Sequence, residues 1–182
     1  DTHQCNNGQI VEKPQQDRFE GVSAYYSDYR ELGDNMVNFP VNLKKPVLGF
    51  IETGEFNKPQ DYTLYRNSPW ENYFAVRYYF YLTVPETGTY TFWSRSNDGT
   101  ILYIDGVQVL NNDYNHDVEA EDRAWGRVEL TAGTHKVQYD FYQSMHRSGL
   151  TFKWIRPGQT QEEFVPASAF TYARSELRPV IM

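Results

Sequence analysis

The chain has 182 residues, with 17 Lys and Arg against 24 Asp and Glu for a formal charge of −7, and 15 Tyr, 11 Phe and 4 Trp make up 16% of it. That length fits one domain able to bury its own core, and the aromatic share excludes a low-complexity disordered chain. No apolar run approaches the roughly 20 residues of a membrane span, and the acidic balance argues against a binder of phosphate backbones.

Residues 1–18 are polar and aperiodic and read as a tether. They hold Cys5, the single cysteine, which excludes an internal disulfide or a cysteine-rich zinc site. The chain starts at Asp1 with no signal peptide, as expected of a processed protein or a segment of a larger one. Gly21–Tyr26 is short, aromatic and strand-like. Asp28–Leu32 suits one helical turn before Gly33. From Asn38 to Pro69 widely spaced prolines predict loops around one or two short strands, such as Val47–Glu52. Asn67-Ser68-Pro69 lacks the third residue of a glycosylation site.

Tyr73–Val84 alternates with period two and predicts a long strand. Phe74, Val76, Tyr78, Phe80, Leu82 and Val84 form one face, and the other carries the polar-aromatic set Tyr73, Arg77, Tyr79, Tyr81 and Thr83. Pro85–Gly88 is a turn, and Thr89–Ser96 returns with Tyr90 and Phe92 inward. Asn97-Asp98-Gly99 breaks that strand before Thr100–Ile104, and Asp105-Gly106 makes a tight hairpin into Val107–Leu110. After a polar excursion from Asn111 to Trp125, strands are expected at Gly126–Leu130, His135–Tyr142 and Leu150–Ile155, with a last one near Phe164. Short strands at near-regular spacing without a long helix predict an all-β antiparallel sandwich or barrel, with long loops at one end.

The order of these motifs resembles the PA14 domain family. The matching stretches begin with Gly21–Tyr26, Phe74-x-Val76-x-Tyr78-x-Phe80-x-Leu82 and Pro85-x-x-Gly88-x-Tyr90-x-Phe92. Ser96–Gly99, Leu102–Gly106, Leu130-x-Ala132-Gly133-x-His135, Val137–Tyr142 and Leu150-x-Phe152-x-Trp154 follow, and Val165–Ser168 looks like the family's closing strand. The resemblance implies a PA14-type β-sandwich over 19–172, with 1–18 as tether and 173–182 as a C-terminal tail.

The sugar-binding members of that family hold a glycan through Ca²⁺ at one end of the sandwich. Their metal motif is a pair of aspartates joined by a cis peptide, followed by the glycine that matches Gly99. Here the pair is Asn97-Asp98, so one anionic ligand is a neutral amide and calcium affinity should fall with ligand charge. The resemblance adds ligands from the loop matching Gln143–Ser148: Gln143 through its side chain, with the Met145 and His146 carbonyls behind it. Asn-Asp-Gly between strands also suits an ordinary turn in which Gly takes a positive φ.

In the polar excursion Asp113, Asn115, Asp117 and Glu119 alternate, but Val118 and Ala124 stand where an EF-hand needs Gly and Glu, which rejects that motif. The segment reads as a solvated acidic loop or the rim of a ligand site. Tyr114, His116 and Trp125 could wall a sugar, with Trp125 the best of them for a core position. The scattered histidines make no HExxH, and no Gly-x-Ser-x-Gly elbow occurs. Two facing carboxylates of a glycosidase cannot be read from spacing.

The reading is therefore a non-catalytic, lectin-like domain of an extracellular adhesin or multidomain surface protein, with glycans or cell-surface polysaccharide as partners. Nucleic-acid binding and membrane insertion are not expected. Asn97, Asp98 and Gln143 would hold Ca²⁺, and Asn97, Asp98, Tyr114, His116 and Arg147 would meet the sugar. The alternative is a metal-free structural or protein-interaction module, which the Asn at 97 favours. An enzyme ranks third.

Overall fold

The computed structural model describes residues 3–6, 9–12, 17–28, 30, 47–117 and 124–177. Two antiparallel sheets pack face to face as a sandwich, with no α-helix among the described residues.

The larger sheet is centred on β7 (Phe74–Val84), the strand with the clearest period-two alternation. One edge of β7 pairs along its whole length with β12 (Gly133–Gln143), which in turn pairs β9 (Thr100–Ile104) and then β10 (Val107–Asn112). The other edge is shared, its first half taken by β4 (Val22–Asp28) and its second by β15 (Phe170–Ala173). Beyond these lie β5 (Leu48–Glu52) against β4 and β3 (Arg18–Glu20) against β15. The smaller sheet runs β11 (Trp125–Leu130), β8 (Gly88–Asn97), β13 (Ser148–Ile155) and β14 (Glu163–Phe164), with β6 (Asn57–Asp61) also on β13. A separate hairpin pairs β1 (His3–Asn6) with β2 (Gln9–Glu12).

The core is aromatic because both sheets turn their alternate bulky residues inward. Phe56 sits at its centre, edge-on to Tyr78 at 4.9 Å between centroids and within 5.5 Å of both Tyr139 and Phe170. Phe92 stacks on Phe152 from the smaller sheet at 5.5 Å. The expected inward set of β7, including Phe74, Val76, Tyr78 and Leu82, is buried. Asp105 and Gly106 both take positive φ, at 49° and 80°, as a tight two-residue hairpin demands.

Several local expectations change. The polar stretch expected as a tether contains the β1–β2 hairpin. β6 contains Pro59, which masked it in the sequence; its neighbour on one side is β13. Ala167–Ala169 makes a short 3-10 turn after Pro166, and the closing strand is Phe170–Ala173, not Val165–Ser168. The helical turn expected at Asp28–Leu32 falls mostly outside the described residues, and Asp28 itself ends β4. Trp125 is 44% exposed beside Trp93 rather than part of the core.

Candidate functional site

At one end of the sandwich β8 gives way to β9 through Asp98 and Gly99, and the Asn97–Asp98 peptide is cis. Two backbone bonds stitch this turn to the end of β12, from Asp98 N–H to the Tyr142 carbonyl and from Tyr142 N–H to the Gly99 carbonyl, each 3.0 Å. Gly99 is required for space rather than for a positive φ, because a Cβ there would lie 2.3 Å from Tyr142 Cε1. That corrects the ordinary-turn expectation. Tyr142, itself buried, donates from Oη to Asn115 Oδ1 at 2.7 Å and so carries the β10–β11 loop.

Asp98 is 5% exposed, and its carboxylate joins three chain segments. Oδ1 accepts from the His116 N–H at 3.1 Å and Oδ2 from the Ser144 N–H at 2.6 Å. Burial pushes its pKa up to about 6; the two N–H bonds and nearby His116 oppose that, and the charge of Asp117 adds to it. Asn97 is also buried, and its Nδ2 donates to Gln60 Oε1 and to Asp117 Oδ1, both at 3.0 Å.

Gln143 is fully buried at the end of β12. Its Nε2 donates to the Met145 carbonyl at 2.9 Å, while its Oε1 is buried with no hydrogen-bond partner. A buried acceptor without a donor costs about 1–3 kcal/mol, so a hydrogen-bond donor or a cation there is favoured.

The expected residues do converge. Asn97, Asp98 and Gln143 belong to one cluster, joined through Ser144 and Met145. The rings of Tyr114 and His116 pack tilted to one another at 4.3 Å between centroids, with His116 Nε2 3.2 Å from the Asn112 carbonyl. Arg147 lies 3.5 Å from Asp117 Oδ1. The side chains of Met145 and His146 are exposed, and His146 takes φ 72° with its N–H donating to Asn72 Oδ1 at 2.8 Å.

Two groups of residues were missed. Asp117 brings a second carboxylate to Asn97, and Gln60 reaches Asn97 from β6. A small cleft of about 260 Å³ beside Met145 and His146 is lined by Tyr62, Thr63, Glu71, Asn72 and Tyr73. The alternating acidic loop was a signal for Asp117, whereas nothing in the local pattern links residues 60–73 to this end.

Among the described residues no three His, Cys, Asp or Glu side chains are grouped so as to hold a metal ion. The oxygens on offer are instead one desolvated carboxylate, the orphaned amide oxygen of Gln143 and backbone carbonyls. That is a hard-oxygen set of low charge, which suits a weakly held calcium ion better than a transition metal.

Residues 21–167 match the model of the PA14 domain family. The chain belongs to that family. The PA14 fold is also seen in the Epithelial Adhesin 9 A domain from Candida glabrata, solved with Galb1-4GlcNAc, at 12% identity and TM-score 0.68 over 90% of this chain and 94% of that one. A PA14 sugar-binding domain from an RTX adhesin matches at 17% identity and TM-score 0.63, over 82% of this chain and 96% of that one. An anti-sigma factor domain-containing protein matches at 19% identity and TM-score 0.68 over 88% of this chain, which spans about half (51%) of that protein's length. These identities carry the PA14 fold and no more. No curated protein matches the sequence.

Proposed function

We propose that this PA14 domain is a carbohydrate-binding module of an extracellular adhesin or multidomain surface protein, acting by binding and not by catalysis. A Ca²⁺ ion held by Asp98, Gln143, the Asn97 amide and carbonyls of Met145 and His146 would supply a Lewis-acidic centre for vicinal sugar hydroxyls. The observation that carries the reading is the buried, partnerless Gln143 Oε1 in the same cluster as the desolvated Asp98 carboxylate. Tyr114, His116 and Arg147 would meet the sugar face and its hydroxyls. Distant sugar-binding relatives with the same fold support this reading.

Asp98 fixes the loops whatever occupies the site, because its two oxygens hold His116 and Ser144. Asn97 orients Asp117 and Gln60. Weak single sites of this kind work through multivalent display.

A second reading has its own support. The Asn97 Nδ2 is already satisfied by Gln60 and Asp117, as in a turn that closes on itself and serves a metal-free structural or protein-binding module. The thermal midpoint of metal-stripped protein, with and without millimolar calcium, separates the two, since a ligand bound only by the native state must stabilise it. A calcium-dependent rise, absent in Asp98→Ala, followed by hits on a glycan array, is the expected result. No rise gives the metal-free reading.

A further inference from the structure

The polar-aromatic face of β7 is not absorbed by the loop-end site. Strand register places Tyr103, Gln138, Tyr79 and Ser23 directly opposite one another across β9, β12, β7 and β4. Residues two apart along a strand share its face. The flanking rows therefore add Tyr25, Arg77 and Asp140 on one side, and Lys136 and Tyr81 on the other. This is the outer face of the larger sheet, opposite the filled aromatic core, and it bears a groove of about 600 Å³. Tyr79, Tyr103, Tyr172, Gln138, Lys136 and Glu176 line it.

The chemistry of the groove is specific. Tyr79 and Tyr103 stand two strand spacings apart, roughly 9.5 Å, with the Gln138 amide between them. Both rings are only partly buried, and Tyr79 packs edge-on against Tyr25 at 6.0 Å. Four of the formal charges lie in opposed pairs. Arg77 holds Asp140 through two bonds of 2.8 Å, and Lys136 lies 3.3 Å from Glu176. At the rim Tyr81 donates to Glu176 at 2.5 Å beneath the Arg18 guanidinium, 3.9 Å from its ring centroid. A groove with mostly paired charge, flat rings and interleaved amide and hydroxyl groups matches a ligand that has apolar faces and a hydroxyl rim. Its volume lies within the usual range of about 300–1,000 Å³ for small-molecule sites.

We infer that this groove is a second carbohydrate site, which takes a neutral oligosaccharide of a few rings without any metal. Tyr79 and Tyr103 stack on successive sugar faces, and Lys136 and the Gln138 amide oxygen bond the hydroxyls between, the Gln138 Nε2 being held by Asp140 Oδ2 at 3.0 Å. The site lies roughly 16 Å along β12 from Gln143, so it is independent of the loop-end site and of calcium.

The test is calorimetric titration of the full chain in EDTA with cellotetraose, laminaritetraose, maltotetraose and chitotetraose. At least one should bind saturably. Tyr103→Ala should weaken that binding about tenfold or more, the loss expected for an aromatic anchor. Gln138→Ala, which leaves the rings in place, should weaken it too. The inference is overturned if no probe binds in EDTA, or if both groove variants bind normally. It is equally overturned if Tyr103→Ala breaks an oligomer seen by ultracentrifugation while sugar binding is absent, which would make the face a docking surface between copies.

Discussion

The Ser144 N–H donates to Asp98 Oδ2 across 2.6 Å, tying the turn after β8 to the loop after β12. This bond, with the one from His116, does not fully offset burial, and the Asp98 pKa rises from 3.8 to about 6. The native state therefore binds this proton more readily than the unfolded chain. Stability contributed by the group is greatest below about 3.8 and falls as pH rises through about 6, a penalty of order 3 kcal/mol at neutral pH. A cation competes with the proton for the same oxygens. In the calcium reading, the calcium-induced rise in thermal midpoint should fade as pH falls through about 6, and melting curves across that range with and without calcium check it.

Gly99→Ala tests the packing of the same turn. The added Cβ would meet Tyr142 Cε1 at 2.3 Å and the Tyr114 nitrogen at 3.0 Å. Tyr142 is fully buried and cannot swing aside without releasing Asn115. Overpacking of this kind costs about 1–3 kcal/mol. Chemical denaturation should show that loss, and ligand binding at the loop end should weaken with it.

The strands were legible because their alternation is long and aromatic: β7 runs from Phe74 to Val84 with the expected face buried. The cluster of Asn97, Asp98 and Gln143 was legible only through a resemblance that joined residues 46 positions apart. Gln60 and Asn72 were not, since their approach depends on how the segment before β7 folds back over β13. Gly99 was placed correctly for a different cause, because close approach of a ring leaves no mark in a local turn pattern. The β7 outer face was visible as tyrosines, but only the register with β9 and β12 makes it a groove.

Glu52 is a buried polar pivot within the core. Its side chain is 1% exposed, with Arg66 Nε 2.7 Å from Oε2, and Tyr26 and Asn67 donating to Oε1 at 2.5 and 3.1 Å. Tyr26 and Tyr65 both reach the Tyr78 hydroxyl, at 3.4 and 2.9 Å. Glu52→Ala would leave a half-buried guanidinium and two donors without their acceptor. Loss of one partner of a buried pair costs about 3–5 kcal/mol, a large part of an ordinary domain's stability. Urea unfolding should report it, and Glu52→Gln, which keeps an oxygen for Tyr26, should lose less.

His135 predicts a second, independent pH effect. Burial of the ring opposes its charge, but Nδ1 lies 2.6 Å from Asp105 Oδ2 and Nε2 lies 2.8 Å from the Thr131 carbonyl. These bonds raise the pKa above 6.5. The stabilisation is complete below about 6.5 and is lost as pH rises through the folded value. Asp105→Asn should flatten that part of the stability profile, measured as thermal midpoint against pH, without touching any calcium response.

Asp117 provides the sharpest division between the two readings of the loop end. Its Oδ1 is 3.0 Å from Asn97 Nδ2 and 3.5 Å from Arg147, and the residue is exposed. If a cation sits at Asn97–Asp98, this carboxylate supplies the negative charge that the neutral Asn97 does not. Asp117→Asn should then weaken calcium several-fold by isothermal titration, because affinity of an oxygen site follows its ligand charge. The fold should be almost unaffected, since an exposed ion pair contributes about 0–1 kcal/mol. In a metal-free module the same variant changes neither midpoint nor calcium response. Removal of the Asp117 charge also takes away a neighbouring negative charge that raises the Asp98 pKa, so the acid limit of the calcium effect should move to lower pH.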